Sequence, residues 1–266
     1  MDLRQAKNAA VRAAQKAGLL MRQNLRAEKR ANETTAHDIK LELDVRAQDL
    51  IEGELRRDFP KAALLGEEGQ AGRADAEYRW VVDPIDGTVN FAYGIPHACV
   101  SIALQGRLSG RRRKAVYEDG YDTLIGVVYD PFLDELWTGI QGQPARLSGR
   151  SIHVSRRGKL AEAIVSIGFS KTRASLNSTL PFFSKMLPRV RKIRLMGSAA
   201  LGLTYVASGR FDAYIERGIR LWDIAAGGLI LQCAGGEFWR EATDGDYTYR
   251  MIASNGLLRR KLPPFR

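Results

Sequence analysis

The sequence predicts a protein of mixed α/β class. Two observations support this fold class. From residue 161 onward, short apolar runs alternate with segments of helical periodicity. In the first half, two apolar runs end at carboxylates: Glu67 and Glu68 follow the first run, and Asp83 and Asp86 follow the second. Strand ends are where α/β proteins usually hold ligands, so we expect the functional site there.

The N-terminal part is predicted as two helices followed by the strands of a sheet. Residues 2–30 place apolar side chains at helical spacing among many Lys and Arg residues, and a second helix over 43–58 ends before Pro60. Short apolar runs then predict strands at 64–65, 78–82, 98–104, 124–129 and 135–140. The segment 106–123 is rich in Gly and Arg, and we interpret it as an exposed hairpin extension.

The C-terminal part is predicted to alternate between strands and helices. Strands are predicted at 164–168, 192–195, 211–215, 236–239 and 251–253. Helices are predicted over 175–188, over 198–208 and after Trp222-Asp223. We therefore expect two subdomains: an α+β subdomain over 1–155 with most of the candidate ligands, and an α/β subdomain over 156–266 with Asp223.

The composition excludes several classes of protein. No run approaches the roughly 18–20 apolar residues that span a bilayer, and the first residues lack the apolar core of a secretory signal, so we expect a cytoplasmic protein without a membrane segment. Cys99 and Cys233 are too few for a disulfide framework or a zinc site, and we interpret them as buried thiols. The net charge of +11 favours polyanionic partners, phosphorylated metabolites included, without selecting one.

The most informative motif is the segment 80–91, in which an apolar strand runs into two carboxylates. Asp83 and Asp86 stand three residues apart across Pro84, whose fixed φ holds the turn open so that both carboxylates can converge. Oxygen ligands in such an arrangement suit magnesium, which is typically held by a few carboxylates together with a substrate phosphate. The backbone carbonyl of Ile85, between the two aspartates, is a further candidate ligand.

The two residues after this pair are suited to phosphate. Gly87 has no side chain to block a close approach to the backbone N–H groups, and the hydroxyl of Thr88 can orient a water molecule. The same segment also suits an ordinary polar turn, and Asp223 taken alone suits a helix N-cap. The metal-site interpretation is favoured because Glu67 and Asp223 add carboxylates where such a site would need them.

Four motifs, in order, resemble the inositol monophosphatase family over nearly the whole chain. They are Leu-Gly-Glu-Glu-Gly at 65–69, Trp-Val-Val-Asp-Pro-Ile-Asp-Gly-Thr-Val-Asn-Phe at 80–91, Arg-Leu-Met-Gly-Ser-Ala-Ala-Leu at 194–201 and Trp-Asp-Ile-Ala-Ala-Gly at 222–227. The resemblance implies an αβαβα sandwich of the inositol monophosphatase and fructose-1,6-bisphosphatase type. It also implies a magnesium-dependent phosphomonoesterase site between the subdomains, a homodimer and inhibition by lithium.

The resemblance further implies roles in catalysis and metal binding. Metal ligands of the family match five positions: Glu67, Asp83, the carbonyl of Ile85, Asp86 and Asp223. Asp83 is expected to bind both of two Mg²⁺ ions. Glu67 and Thr88 are expected to activate the attacking water, and Asp44 is expected to support Thr88 and a further, weaker metal.

Positions that contact the substrate in the family also have matches here. They are Asp86, Gly87, Thr88, Gly197, Ser198, Ala199, Glu216 and Asp223. The backbone at Gly87 and Thr88 is expected to hold the phosphate. The segment 197–199 and Glu216 are expected to face the alcohol part of the substrate.

Two functions from different classes are compatible with these residues. The first is magnesium-dependent hydrolysis of inositol 1-phosphate or a similar polyol phosphate, by two- or three-metal activation of water for in-line attack. The same chemistry on histidinol phosphate, fructose 1,6-bisphosphate or adenosine 3',5'-bisphosphate is left open. The second is an RNA-associated regulatory protein on the phosphatase fold, which the charge of +11 suggests. The clustered carboxylates favour the enzyme, because they repel one another without a cation.

Overall fold

The computed structural model describes residues 1–27, 31–34, 39–107, 117–170 and 172–265, with the backbone alone for 31–34 and 39–40. The described residues contain six α-helices: α1 (Leu3–Asn24), α2 (Glu42–Asp58), α3 (Thr88–Ala92), α4 (Arg173–Met186), α5 (Ala199–Ala207) and α6 (Leu221–Cys233). Their strands in the first half are β1 (Ala31–Thr34), β2 (Ile39–Leu41), β3 (Ala63–Gly66), β4 (Gly69–Ala71), β5 (Tyr78–Asp86), β6 (Cys99–Arg107), β7 (Tyr121–Asp130), β8 (Glu135–Ile140), β9 (Arg146–Leu147) and β10 (Arg150–Ser151). Those in the second half are β11 (Ile164–Ile167), β12 (Lys192–Arg194), β13 (Ala213–Arg220), β14 (Glu237–Ala242) and β15 (Thr248–Ser254).

Most of these strands form two large sheets. The eight-stranded sheet has the order β10-β9-β8-β7-β6-β5-β3-β4, in which β3 and β5 are parallel and the other neighbours are antiparallel. The five-stranded sheet has the order β12-β11-β13-β15-β14, in which β11 is parallel to both of its neighbours. Strands β1 and β2 pair with each other in a separate small sheet.

Helices and sheets alternate in five layers. Helices α1 and α2 cover one face of the eight-stranded sheet, and α5 and α6 lie between the two large sheets. Helix α4 covers the outer face of the five-stranded sheet. A hydrophobic cluster fills each region between layers, so that both large sheets are covered on their two faces. The predicted αβαβα sandwich is confirmed.

The sequence of each helix matches its layer. Helix α1 buries a single stripe of small residues and Met21, and its other face carries charged residues. Helix α6 is apolar on all sides, and nine of its thirteen residues are buried, as expected for a helix between two sheets. Strands β5 and β6 are buried almost throughout because helices cover both faces of their sheet. No helix in the described part of the chain is long and apolar enough to cross a membrane.

Strand β5 continues past Asp83, where the sequence predicts that a strand ends. Asp83 lies opposite Ser101 of β6 and Asp86 lies opposite Cys99, so three steps along β5 match two along β6. The extra residue is a β-bulge. Residues three apart on a regular strand face opposite sides of the sheet, and the bulge instead turns both aspartates to the same side. The end predicted for the strand 78–82 was wrong for this reason.

Other differences from the prediction are local. The helix predicted over 2–30 ends at Asn24, because the polar run 26–30 offers no apolar stripe to bury. The last helix includes Trp222-Asp223 rather than following them, since Asp223 caps it from within its first turn. Of the predicted extension 106–123, the first two residues belong to β6 and the last three to β7. Residues 108–116 lie outside the described residues.

The two large sheets come from separate parts of the chain. The eight-stranded sheet uses residues 63–151 and the five-stranded sheet uses residues 164–254. The gap between them contains the predicted boundary at 155. The division into subdomains 1–155 and 156–266 stays a prediction.

The close packing of α6 on β7 predicts a pair of opposite glycine effects. A Cβ at Gly126 would overlap the backbone oxygen of Ala226, whereas a Cβ at Gly53, on the exposed side of α2, would meet nothing within 4 Å. Gly126→Ala is expected to cost about 1–3 kcal/mol, because two backbones must separate. Gly53→Ala is expected to stabilise by about 0.5–1 kcal/mol. Urea unfolding measures both; equal effects would contradict this packing.

Candidate metal centre

Three carboxylates from two parts of the fold converge on one point. Asp83 and Asp86 lie on β5, and Asp223 is the third residue of α6. One oxygen from each residue lies within 4.8 Å of the other two. Asp83 and Asp86 are buried, and Asp223 is partly exposed. A hard cation would neutralise this concentration of negative charge.

Backbone N–H groups orient two of these carboxylates. The N–H of Ile85 donates to Oδ1 of Asp83 at 3.0 Å, and the N–H of Arg220 donates to Oδ2 of Asp223 at 2.9 Å. The second bond caps α6, so Asp223 is both a helix cap and a member of the carboxylate cluster. Each of these two bonds uses one oxygen of its carboxylate.

Asp86 joins β5 to the start of α5. Its carboxylate accepts hydrogen bonds from the hydroxyl of Ser198 at 2.6 Å, the N–H of Ala199 at 3.1 Å and the N–H of Ala200 at 2.7 Å. A carboxylate is favoured at this place, because the first N–H groups of a helix have no partner inside the helix and carry partial positive charge. The segment predicted to face the alcohol is therefore held by a predicted metal ligand.

Burial raises the pKa of all three carboxyl groups, and repulsion between charges adds to the rise at Asp83 and Asp223. Burial is the largest cause for each of them. The charges of Glu67 and Asp86 then help to raise the pKa values of Asp83 and Asp223 well above their usual range. Hydrogen bonds from Ser198 and the following N–H groups offset part of the rise in the pKa of Asp86. The residues fit Mg²⁺, because they offer only oxygen donors and their charged form is costly without a cation.

The turn before α3 packs tightly at Gly87, where a side chain would not fit. Gly87 has a φ of +95°, which favours glycine. A Cβ there would lie 3.0 Å from the carbonyl oxygen of His97 and 3.2 Å from that of Gly197. Thr88 follows as the first residue of α3, and its hydroxyl donates to the carbonyl of Ile85 at 2.8 Å.

A cavity of about 520 Å³ brings the predicted site residues together. Its lining includes every predicted metal ligand and substrate-binding residue: Glu67, Asp83, Ile85, Asp86, Gly87, Thr88, Gly197, Ser198, Ala199, Glu216 and Asp223. Asp44 lies outside this lining, in the first turn of α2, where its Oδ2 accepts a hydrogen bond from the N–H of Leu41 at 2.7 Å. The predicted catalytic role of Asp44 stays a prediction.

Glu216 of β13 forms the predicted alcohol side of the cavity. The hydroxyl of Tyr214, a residue that no sequence pattern singled out, donates to Oε2 of Glu216. Gly168 leaves the space for this carboxyl group, since a Cβ there would overlap it. Burial raises the pKa of Glu216 to about 7, with a smaller contribution from the charge of Asp86 and an opposing one from the Tyr214 hydrogen bond.

Two further residues at the site carried no predicted role. The side-chain amide of Asn90 donates to the carbonyls of His97 at 2.9 Å and Met196 at 2.8 Å, which ties α3 to the loop before α5. The hydroxyl of Ser101 donates to the carbonyl of Trp222 at 3.0 Å and so fixes the start of α6 on β6. Asn90 stands in the motif at 80–91, but its partners are distant in sequence and no local pattern identifies them.

Comparison with known proteins shows the family of this chain. The model of the inositol monophosphatase family matches residues 2–259. The chain belongs to this family. The resemblance found in the four motifs is thereby confirmed, and the remaining questions concern which activity of the family this member has.

Named relatives of this family member fall under two descriptions. Nus factor SuhB of Pseudomonas aeruginosa is 39% identical over 237 residues, which are 86% of this chain and 83% of that protein. Inositol monophosphatase 1 of Solanum lycopersicum is 35% identical over 253 residues, which are 92% of this chain and 88% of that protein. The crystal structure of extragenic suppressor protein SuhB from Bartonella henselae has a TM-score of 0.85 at 32% identity and covers 97% of this chain and 96% of that chain.

The hydrogen bonds of the cluster predict opposite effects for two Asp→Asn variants without metal. Asn at position 83 keeps an acceptor for the N–H of Ile85 and removes a repelling charge, so Tm should rise by about 2–4 °C. At position 86 both carboxylate oxygens accept bonds, and an amide NH₂ would face donors, at a cost of about 1–3 kcal/mol. Thermal unfolding in EDTA tests this; a lower Tm for Asp83→Asn would contradict it.

The raised carboxyl pKa values predict a pH dependence of stability in the metal-free protein. A folded-state pKa above the unfolded value means that the native state binds more protons, so stability falls as pH rises above the unfolded pKa towards the folded one. The stabilisation by Asp83→Asn should therefore grow as pH rises from 5 to 8. Urea midpoints of wild type and variant in EDTA measure the difference, which a pH-independent offset would contradict.

Proposed function

We propose that the protein is a magnesium-dependent phosphomonoesterase for a small polyol phosphate such as inositol 1-phosphate. The observation that carries this proposal is the convergence of Asp83, Asp86 and Asp223 within 4.8 Å, beside a glycine turn in a cavity of about 520 Å³. Membership of the inositol monophosphatase family supports it. The relative named inositol monophosphatase 1 supports the polyol substrate.

Oxygen atoms of five residues would hold the magnesium ions: Glu67, Asp83, Ile85 through its carbonyl, Asp86 and Asp223. Magnesium bound there supplies a Lewis acid that polarises the phosphate and lowers the pKa of the attacking water. The chain supplies the positioning. The bulge in β5 sets Asp83 and Asp86 on one side, and the N–H groups of Ile85 and Arg220 orient Asp83 and Asp223 in advance.

Glu67 and Thr88 are the residues proposed to orient the attacking water. The Thr88 hydroxyl donates a hydrogen bond to the carbonyl of Ile85, which leaves the lone pairs of its oxygen free to accept a hydrogen bond from water. Glu67 lines the same cavity, and its charge acts on Asp83 and Asp223. Two acceptors engaging both protons of one water would leave the water's lone pair directed at phosphorus.

The substrate would lie between the turn at Gly87 and the carboxyl group of Glu216. Gly87 precedes α3 and Thr88 is its first residue. Their backbone N–H groups would donate hydrogen bonds to the phosphate oxygens. The segment 197–199 and Glu216 face the alcohol. Because the pKa of Glu216 is raised to about 7, this carboxyl can accept or donate a hydrogen bond near neutral pH, which suits polyol hydroxyls.

Further properties in this proposal come from the family resemblance. They are inhibition by lithium and a homodimer; the cytoplasmic location in this proposal rests instead on the composition. For the homodimer, exposed apolar side chains next to α3 offer a contact surface: Tyr93 is 75% exposed and Ile95 is 48% exposed.

An RNA-associated regulatory role is the second candidate. The net charge of +11 favours it, and so does 39% identity to a protein named Nus factor SuhB. Filter binding of a structured RNA to the protein at about 50 and 200 mM NaCl tests this role. Binding that persists at the higher salt would support it, and the absence of binding at both concentrations would exclude it.

The proposed ligand role of Asp223 predicts a loss of activity without a loss of fold. Asp223→Asn keeps an acceptor for the N–H of Arg220 but removes a ligand charge, so kcat/KM should fall at least about 100-fold while the circular dichroism spectrum is unchanged. Asp75→Asn is the matched control, because Asp75 is an exposed carboxylate paired with Arg73. Full activity of Asp223→Asn in a phosphate-release assay would refute the assignment.

The substrate class is tested by a phosphate-release screen. The screen compares polyol, sugar, nucleotide and amino-alcohol phosphates, each with MgCl₂ and with EDTA. Magnesium-dependent release that is fastest from a polyol phosphate is the expected result. If release is fastest from an amino-alcohol phosphate, that class would replace polyol phosphates as the proposed substrate. If none of the compounds releases phosphate, the proposed phosphatase activity would be rejected.

A further inference from the structure

A second cavity, of about 680 Å³, adjoins the candidate metal centre. The two cavities share Glu67 and Asp223 in their linings. Beyond these carboxylates, the second cavity is lined by two arginines, Arg217 and Arg220, by one further acid, Asp244, and by five hydroxyl residues: Ser170, Thr172, Ser175, Thr243 and Thr248. Away from the proposed metal ligands, the lining of this cavity is therefore polar, with more basic than acidic side chains.

A β-bulge brings the two arginines to this cavity together. Arg217 lies opposite Arg250 of β15, and the next paired residue, Ile219, lies opposite Tyr249, so Gly218 is an extra residue in β13. Gly218 has a φ of +83°, and a Cβ there would lie 2.5 Å from Oγ of Ser170.

The bulge changes which side of β13 each residue faces. Arg217 and Arg220 would face opposite sides of a regular strand; the extra residue turns them to the same side. Glu216 and Ile219 line the first cavity instead, which agrees with this alternation.

The charge of both arginines is available to a ligand. The guanidinium of Arg220 is held by neutral partners: Nη1 donates to the carbonyl of Asp246 and to the hydroxyl of Thr248, both at 2.7 Å, and Trp222 lies 5.9 Å away. Among the residues that the structure describes, no carboxylate forms an ion pair with Arg217 or Arg220. Arg220 is exposed and Arg217 is partly exposed.

We propose that Arg217 and Arg220 bind a second phosphate of the substrate in this cavity, while the first phosphate is hydrolysed at the metal centre. The inference rests on the proposed phosphatase function and narrows its substrate class to compact bisphosphates. A guanidinium offers a planar fork of donors that matches phosphate oxygens, and charge-assisted bonds of this kind are the stronger ones. Because Glu67 and Asp223 line both cavities, the two cavities adjoin, and the proposed ligand would extend from one into the other.

Kinetics on matched substrates tests this proposal. The pairs are inositol 1-phosphate with inositol 1,4-bisphosphate, and fructose 6-phosphate with fructose 1,6-bisphosphate. We expect KM to be at least about tenfold lower for the bisphosphate in one pair or both, since one charge-assisted bond corresponds to about that factor. In the variant Arg217→Gln most of this preference should disappear, with KM for the monophosphate and kcat unchanged. Equal KM values within both pairs for wild type would overturn the proposal.

A matched variant separates local binding from long-range attraction. Arg146→Gln removes the same charge from an exposed residue of β9 that lines neither cavity, and it should keep the bisphosphate preference. The variant Arg217→Gln should lose most of the preference without disturbing the bonds that hold the loop at Asp246. Equal losses in Arg146→Gln and Arg217→Gln would show steering by net charge and would also overturn the proposal.

Binding to an inactive protein distinguishes this inference from the proposed function. Calorimetry in the Asp223→Asn background measures Kd for inositol 1,4-bisphosphate and for inorganic phosphate. We expect Arg217→Gln to weaken bisphosphate binding about tenfold and phosphate binding much less. Weak, Arg217-independent binding of the bisphosphate would reject the second site, even where wild type hydrolyses monophosphates. Retained binding with no hydrolysis by wild type would reject the phosphatase function alone.

Discussion

The convergence of three carboxylates, two buried and one partly exposed, is the constraint on which the rest of the site depends. Asp83, Asp86 and Asp223 lie within 4.8 Å of one another, and burial raises the pKa of each. Hydrogen bonds from backbone N–H groups offset part of the cost of this convergence, most completely at Asp86, where the start of α5 supplies two of them. The fold therefore positions the charges but leaves them under-neutralised, which is the arrangement that a divalent cation would complete.

Two β-bulges determine which charged side chains of β5 and β13 point into the two cavities. The bulge in β5 turns Asp83 and Asp86 to one side, and the bulge at Gly218 in β13 turns Arg217 and Arg220 towards the second cavity. Strand alternation alone would separate the two aspartates. Each bulge adds one residue to its strand and so changes the side of the sheet to which the following charged side chain points. The same device supports both the metal centre and the proposed second phosphate site.

The sequence predicts the parts of the site that are local or that belong to a recognisable motif. The predicted metal ligands all lie in the four motifs and all line the cavity, and the sandwich followed from the same resemblance. Features that depend on pairing between distant strands were missed, such as the continuation of β5 beyond Asp83. The bridge from Asn90 to Met196 was missed for the same reason, since its partners are 106 residues apart. The arginine pair carried no signal, because only the register of β13 against β15 shows that both face one cavity.

The central claim is that the carboxylate cluster is completed by a divalent cation, and a ligand-dependent shift in Tm tests it most directly. Thermal unfolding of wild-type protein in increasing MgCl₂, with NaCl at matched ionic strength, should show Tm rising with Mg²⁺ concentration, since an ion that binds only the native state stabilises it by RT ln(1 + [L]/Kd). A Tm that follows ionic strength alone would show that the cluster holds no magnesium and would contradict this account.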